Sequence, residues 1–167
     1  QQIEKLLVYR DVVANDDGYE SLMSCTVDLL DFYDRIDRKE MYIRYLNKLY
    51  DLHVKNQNFN EAAYTLSKHS MLLEWSDKPL ESWLRNEKYA ACNTHRELKE
   101  MLFNEIIHNF DVGQLWEAGI EYCKQLSEQY ENVFFDYTQL SKLMIRMSTY
   151  YDNIVKNVRL EPEYFHV

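Results

Sequence analysis

The chain is short of the residues that interrupt regular structure, with three glycines and two prolines in 167 residues. That supply is too small for the many tight turns of a β-sandwich or a doubly wound sheet. Cysteine is scarce as well. Cys25, Cys92 and Cys123 lie far apart and form no CxxC pair. An odd, sparse set gives no disulfide framework and reads as reduced thiols in a cytoplasmic protein. No apolar run is long enough to cross a bilayer, and no signal peptide is visible. Positive charge is also short, with 19 Lys and Arg against 28 Asp and Glu and a net charge of −9. That balance disfavours phosphate backbones and anionic lipid, so neither nucleic-acid binding nor direct membrane insertion is expected. Arg35, Arg38, Lys39, Arg44 and Lys48 cluster locally, but acidic residues are interleaved among them, as on a solvated helix face.

Aromatic residues are plentiful at 14%, with 14 tyrosines. That is heavy for a plain coiled coil and suits stacked layers of large side chains. The length fits one domain over residues 1–167, able to bury roughly two thirds of its unfolded surface. The start at Gln1-Gln2 and the end in "PEYFHV" suggest a piece of a longer protein.

Apolar residues recur at helical spacing nearly throughout. Helices are predicted over about 2–13, 19–36, 40–56, 60–75, 95–110, 115–130 and 137–158, with a short one from Asp77 and Pro79 to Leu84. Gly18 and Gly113 mark turns, and Asn60, Thr94-x-x-Glu97 and Asp136-x-x-Gln139 are candidate helix starts. The second helix carries Leu22, Cys25, Leu29, Phe32 and Ile36, flanked by Met23, Val27 and Leu30, a stripe wide enough to touch two neighbours. The last helix has a regular stripe of Leu140, Leu143, Met144, Met147, Tyr151, Ile154 and Val158. Phe134 or Phe135, together with Tyr151, is assigned to the core.

One helix opening is written twice. Phe59-Asn60-Glu61-Ala62-Ala63 lies over Leu115-Trp116-Glu117-Ala118-Gly119. The small pairs allow close helix approach, and the preceding Phe59 or Leu115 fits a hairpin corner. This is the logic of tetratricopeptide-type hairpins. The spacing exceeds the ~34 residues of that repeat because residues 76–97 intervene. The expected fold is therefore all-α, an antiparallel array of tetratricopeptide-like helical hairpins forming an α-α superhelix.

Chemistry is not legible. His53, His69, His95, His108 and His166 form no HExxH and no metal-spaced pair with cysteine. With glycine only at 18, 113 and 119, no phosphate-binding loop can form. Glu105-x-x-His108 has di-metal carboxylate spacing but occurs once. Glu61 and Glu117, like Glu105 and Glu121, can be paired only on paper. Cys92 follows "YAA" in an irregular stretch, reads as exposed, and lacks a basic neighbour to activate it. No catalytic, cofactor or metal residue is nominated.

Five stretches carry a resemblance: "MYIRYLNKLYDLHVKNQNFNEAAYTL" (41–66), "LLEWSDKPL" (72–80), "EIIHNFDVGQLWEAGIEYCKQLSEQYE" (105–131), "FDYTQLSKLM" (135–144) and "RLEPEYFHV" (159–167). Together they resemble the dedicator-of-cytokinesis family, and most nearly its Rac-directed branch, at the start of the DOCKER region. The resemblance covers nearly all of residues 19–167 and is loosest over 81–97. It implies a guanine-nucleotide exchange factor for Rho-family (Rac-type) GTPases. It also implies that this piece is the first, helical lobe (lobe A). By the same resemblance, the GTPase is gripped by the second and third lobes, and its nucleotide and magnesium are expelled by an element of the third. The implied role is a scaffold without its own catalytic site. Its partners would be the neighbouring lobe, the GTPase through the other lobes, and a second copy in a homodimer. The parent would be cytoplasmic with recruitment to the plasma membrane, in cytoskeletal signalling and cell migration. The alternative is a stand-alone adaptor binding a peptide in a concave groove. Tyr45, Leu49, Met101 and Glu105 do not repeat the polar lining such a groove needs.

Overall fold

The computed structural model describes residues 2–15 and 18–160, with side chains through 157. Expectations that involve Asp16, Asp17, the Val158 side chain or the 161–167 tail with His166 lie outside the described residues. The order is α1 (Gln2–Asn15), α2 (Tyr19–Arg35), α3 (Lys39–Lys55), α4 (Phe59–Ser70), α5 (His95–Val112), α6 (Trp116–Asn132) and α7 (Tyr137–Leu160). Between α4 and α5 lie two single 3₁₀ turns, Ser82–Leu84 and Glu87–Tyr89. Among the described residues the only extended pairing is an isolated bridge between Pro79 and Thr94. Among the described residues no helix is long and apolar enough to cross a membrane. The fold is all-α, as the periodicity predicts.

Three of the hairpin corners share one geometry. Asp37, Gln57 and Gln114 take positive φ of 56°, 60° and 59°. Beyond each, a backbone N–H reaches five residues back, from Arg38 to Tyr33 O (2.9 Å), Asn58 to His53 O (2.8 Å) and Leu115 to Phe110 O (2.9 Å). The positive-φ residue itself donates three residues back, to Asp34, Val54 and Asp111. These are Schellman closures, which satisfy helix-end carbonyls and reverse the chain within a few residues. Neighbouring helices joined so tightly must run antiparallel. Gly113 occupies the predicted turn, but the left-handed residue is Gln114. Glycine at 113 matters for a different reason. A Cβ there would collide with the Asn60 carboxamide, whose Nδ2 donates to Gly113 O at 3.1 Å. The corner before α4 and the corner before α6 are the two copies of the repeated opening, and this bond ties one to the other.

The substantial packing joins consecutive helices, α1 to α2 and onward to α7, and the Ser82–Leu84 turn also packs on α3. One core lies between α1, α2 and α3, with Leu29, Tyr33, Tyr45 and Leu46 at its centre. The larger one gathers Leu66, Leu98, Leu102, Ile106, Phe110, Cys123, Leu126 and Leu143 from α4 to α7. α3 contributes Ile43 to the second and Tyr45 to the first, so the array is continuous. Each fully buried Leu, Ile or Phe contributes about 1.5–3 kcal/mol. Edge-to-face aromatic contacts run across the larger core: Tyr64 on Phe110, Phe103 on Tyr122, and Trp75 on both Phe103 and Phe134.

Several expectations are corrected. α4 stops at Ser70, five residues early. Ser67 and Ser70 hydroxyls take the Tyr64 and Ser67 carbonyls at 2.6 and 2.7 Å, competing with continuation of the helix. Asn58, not Asn60, precedes the first turn of α4, and its side chain goes to the Tyr19 hydroxyl (2.7 Å) instead of capping. Pro79 opens no helix, being held extended against Thr94. On α7 the buried tyrosine is Tyr150 (3% exposed), not Tyr151 (46%), because the contact stripe is Leu140, Leu143, Met147, Tyr150 and Ile154. Phe134 packs on the core, while Phe135 sits at φ 53° in the turn and is exposed. Ile36 and Val27 are exposed, and Tyr33 lies in the α2 core instead. The Thr94 and Asp136 starts hold. Thr94 Oγ1 accepts from Glu97 N–H (3.2 Å), and Asp136 Oδ1 accepts from Gln139 N–H (3.2 Å).

Candidate docking surfaces

The titratable residues singled out in the sequence are used structurally. His53 Nδ1 meets the Tyr19 hydroxyl at 2.6 Å, with Glu61 Oε2 at 3.6 Å, joining α2, α3 and α4. Burial lowers the His53 pKa and Glu61 opposes it. His69 is 1% exposed, and neither ring nitrogen has a partner among the described residues. Burial, aided by Lys88, depresses its pKa to about 4. His95 is buried where it receives the Glu74 backbone N–H on Nδ1 (3.2 Å) and presents Nε2 to Glu81 (2.9 Å). The first bond makes Nδ1 the acceptor, so Nε2 carries the proton that Glu81 takes. No sequence pattern signals this clasp, because Glu81 and His95 stand on opposite ends of an irregular stretch.

Glu105 and His108 do come together on one wall of a cleft, near Cys92. Glu105 Oε2 accepts from the Tyr89 hydroxyl (3.3 Å), and His108 is exposed. Cys92 is buried, contrary to expectation, with its thiol 4.0 Å from Met101 Sδ and its pKa raised by desolvation. Glu117 and Glu121 are exposed on α6. Among the described residues no group of three His, Cys, Asp or Glu is placed to hold a metal.

The cleft has a volume of about 660 Å³. One wall is α5, from Glu97 through Glu100 and Met101 to Glu105. The other is Tyr50 of α3 and the Ala91-Cys92 end of the irregular segment. That segment lies across α3 and α5. Lys88 stands over the Tyr50 ring (4.2 Å), Lys39 over Trp83 (5.2 Å), and Leu80, Leu84 and Tyr89 are buried in the larger core. Of the four residues tested as groove lining, Tyr45 and Leu49 are core, whereas Met101 and Glu105 reach the cleft. Desolvation raises the Glu100 pKa, Arg96 pulls it down, and Asp136 pushes it up again.

The second surface is on α7. Tyr137, Met144 and Tyr151 recur every seven residues, joined by Ile145 and Val155, and all are exposed. Phe135 in the preceding turn is exposed as well. The adjoining stripe of the helix, through Leu143, Met147 and Tyr150, is spent on the core against α6. A helix apolar on two faces is built to be covered on both.

The sequence profile of the family described as DHR-2, Lobe A matches residues 26–96 and 85–156. The chain is 47% identical to human "Dedicator of cytokinesis protein 4" and to its mouse counterpart, and 42% identical to mouse "Dedicator of cytokinesis protein 3". Each match covers 99% of this chain and 8% of the relative, so the chain spans a small part of those proteins. The matched profile runs from α2 into α7 and takes in both copies of the repeated corner. On that match and on these identities, the chain belongs to the dedicator-of-cytokinesis family, in the lobe A portion of its DHR-2 region.

Proposed function

We propose that this chain is the scaffold lobe of a guanine-nucleotide exchange factor for Rho-family GTPases of the Rac type. It holds no catalytic site of its own and braces the lobes that do. The carrying observation is the lobe A match across α2 to α7. The exposed α7 face supports it by offering a ready seat for the neighbouring lobe. The use of buried His53, His69 and His95 in packing and helix tethering supports the absence of a reaction centre. In the parent, the GTPase is contacted through the other lobes, and a second copy associates through this region. The parent is cytoplasmic, with its thiols reduced, and is recruited to the plasma membrane to act on the cytoskeleton.

The stand-alone adaptor reading is weaker. Solenoid arrays bind along an extended face, and here residues 78–92 already lie across α3 and α5.

The test is GDP release from Rac loaded with a fluorescent nucleotide. This chain alone should be inactive, and a version extended through the following two lobes should be active. Replacing Tyr137, Met144 and Tyr151 together with serine in the longer version should lower the release rate while leaving the melting temperature of the isolated lobe unchanged. Activity in the isolated lobe would overturn the scaffold reading. Inactivity of both would remove the exchange-factor reading.

A further inference from the structure

Residues 81–92, between α4 and α5, make a closed loop on a narrow neck. Leu80 N–H donates to Asn93 O (3.0 Å), His95 N–H to Lys78 O (2.9 Å) and Arg96 N–H to Ser76 O (2.9 Å). The Glu81–His95 contact at 2.9 Å lies across the same neck. Within the loop, the backbone N–H groups of Leu84, Arg85, Tyr89 and Cys92 donate to carbonyls three residues back. Among the described residues no backbone hydrogen bond joins 81–92 to a helix. Such a segment is an Ω-loop, its ends pinned together and its own side chains filling it. Only side chains hold it on the array. Leu84, Tyr89 and Cys92 are buried, Tyr89 Oη donates to Glu105 at a long 3.3 Å, Lys88 stands over Tyr50, and Lys39 stands over Trp83.

The seat under this loop is poorly satisfied. Among the described residues five buried side-chain polar atoms lack a hydrogen-bond partner, and three of them are here: both ring nitrogens of His69, and Asn86 Nδ2. His69 arrives from α4 and meets the Tyr89 ring edge-on at 6.0 Å. Asn86 Oδ1 is taken by Tyr89 N–H (3.1 Å), which leaves its amide nitrogen without an acceptor. Each such group is destabilising while covered and regains water when uncovered. The closed position therefore carries a penalty that an open one does not.

We infer that residues 81–92 are a lid that opens as a unit about its neck while the helices stay packed, and that the unpartnered His69 beneath it sets how often it opens. Exposure of Leu84 and Tyr89 opposes opening, and hydration of His69 and Asn86 favours it. Acid favours it further. Lys88 and Tyr89 of the loop face the His69 ring, and around Tyr89 stand Glu105 of α5 and Tyr50 and Asp51 of α3. Among the described residues neither of these carboxylates pairs with His69, and Lys88 opposes a charge on it. The covered ring stays neutral down to about pH 4, whereas an uncovered one takes its proton near 6.5. Between those values the open form binds the extra proton. The closed form is thus favoured above about pH 6.5 and weakens as the pH falls.

Cys92 is a built-in reporter. It is buried in the loop with its thiol against Met101 Sδ of α5 (4.0 Å), whereas Cys123 is buried within α6. The chain is mixed with a pyridyl disulfide, which reacts at acid as well as neutral pH, and labelling of each cysteine is followed by peptide mass. Cys92 should label roughly tenfold faster than Cys123 or more, at a rate insensitive to low urea. Moving from about pH 7 to about pH 5.5 should speed Cys92 about eightfold, after division by the rate of a free peptide thiol. His69→Leu should slow Cys92 roughly tenfold, abolish the acid effect and leave Cys123 unchanged. Amide exchange in the unmodified chain is a second measure that needs no variant. The amides of Leu84, Arg85, Tyr89 and Cys92 should exchange together, ahead of Leu80 and His95 in the neck. Equal labelling of Cys92 and Cys123, or equal exchange in loop and neck, would overturn the lid. An acid effect that survives in His69→Leu would overturn the role given to His69. These readouts do not involve GTPase, so their failure is separate from failure of the exchange-factor reading.

Discussion

Single residues set the corners of this molecule. Gly119 is buried where a Cβ would lie in van der Waals contact with the Phe110 Cβ, at 3.4 Å, so a methyl group fits between α5 and α6 but a large side chain does not. Gly119→Leu should cost about 1–3 kcal/mol by overpacking, read as a lower midpoint in thermal or urea unfolding. Ala63, fully buried at the corresponding place on α4, should respond alike. Gly113→Ala forces the Asn60 carboxamide away, and Asn60→Ala should recover part of that loss in a double-mutant cycle. His69 makes a different prediction. Its folded pKa of about 4 lies below the unfolded value near 6.5. Between those values the unfolded chain binds the extra proton, so stability is intact above about pH 6.5 and falls as pH drops toward 4. The loss over that window is about 3 kcal/mol. His69→Leu removes two buried nitrogens without partners, so it should flatten the profile and leave the protein at least as stable at pH 7. A variant that melts lower at pH 7 and keeps the slope would show that the ring is satisfied after all.

Among elements, the turns carry a cost that can be relieved. Gln57 and Gln114 occupy the left-handed region, where glycine is free of the roughly 1 kcal/mol penalty. Gln114→Gly should raise the melting temperature by a few degrees, and Gln114→Val should lower it by more. The helices were legible in the sequence because the apolar stripes repeat cleanly, and the doubled Glu-Ala-small opening did mark two equivalent corners. The turn residues were less legible. Two kinds of side chain, Asp37 and the glutamines Gln57 and Gln114, serve one backbone state, and the visible glycine stands beside that state. On α7 two adjacent tyrosines fit a stripe drawn through Met144 or one drawn through Met147, and only the position of α6 decides between them. The segment from 71 to 94 was illegible for a plainer reason. Its order comes from long-range contacts, Leu80 N–H to Asn93 O, His95 N–H to Lys78 O and Lys99 Nζ to Leu73 O, which have no period to read. The cleft beside α5 was visible only as Glu105-x-x-His108, and its other wall depended on Tyr50 arriving from α3.

At the scale of the whole molecule, neighbour-only packing makes stability uneven along the array. α1 contributes no buried residue, and α5 contributes eight. Amide hydrogen exchange should therefore be fastest in α1 and slowest in α5, with α7 between them. Slow exchange throughout α1 would mean that the helix is fastened by more than its contact with α2. Binding of the next lobe on α7 should slow exchange there first and leave α1 unchanged.

The ring contacts of Trp75 give the array an optical gauge. The indole lies edge-on to Phe103 of α5 and to Phe134 in the corner before α7, with the Lys99 ammonium over its face. Any pull on α7 alters the environment of that one chromophore. With Trp83 and Trp116 replaced by phenylalanine, emission from Trp75 would report in real time whether engagement of the end helix is felt inside the lobe.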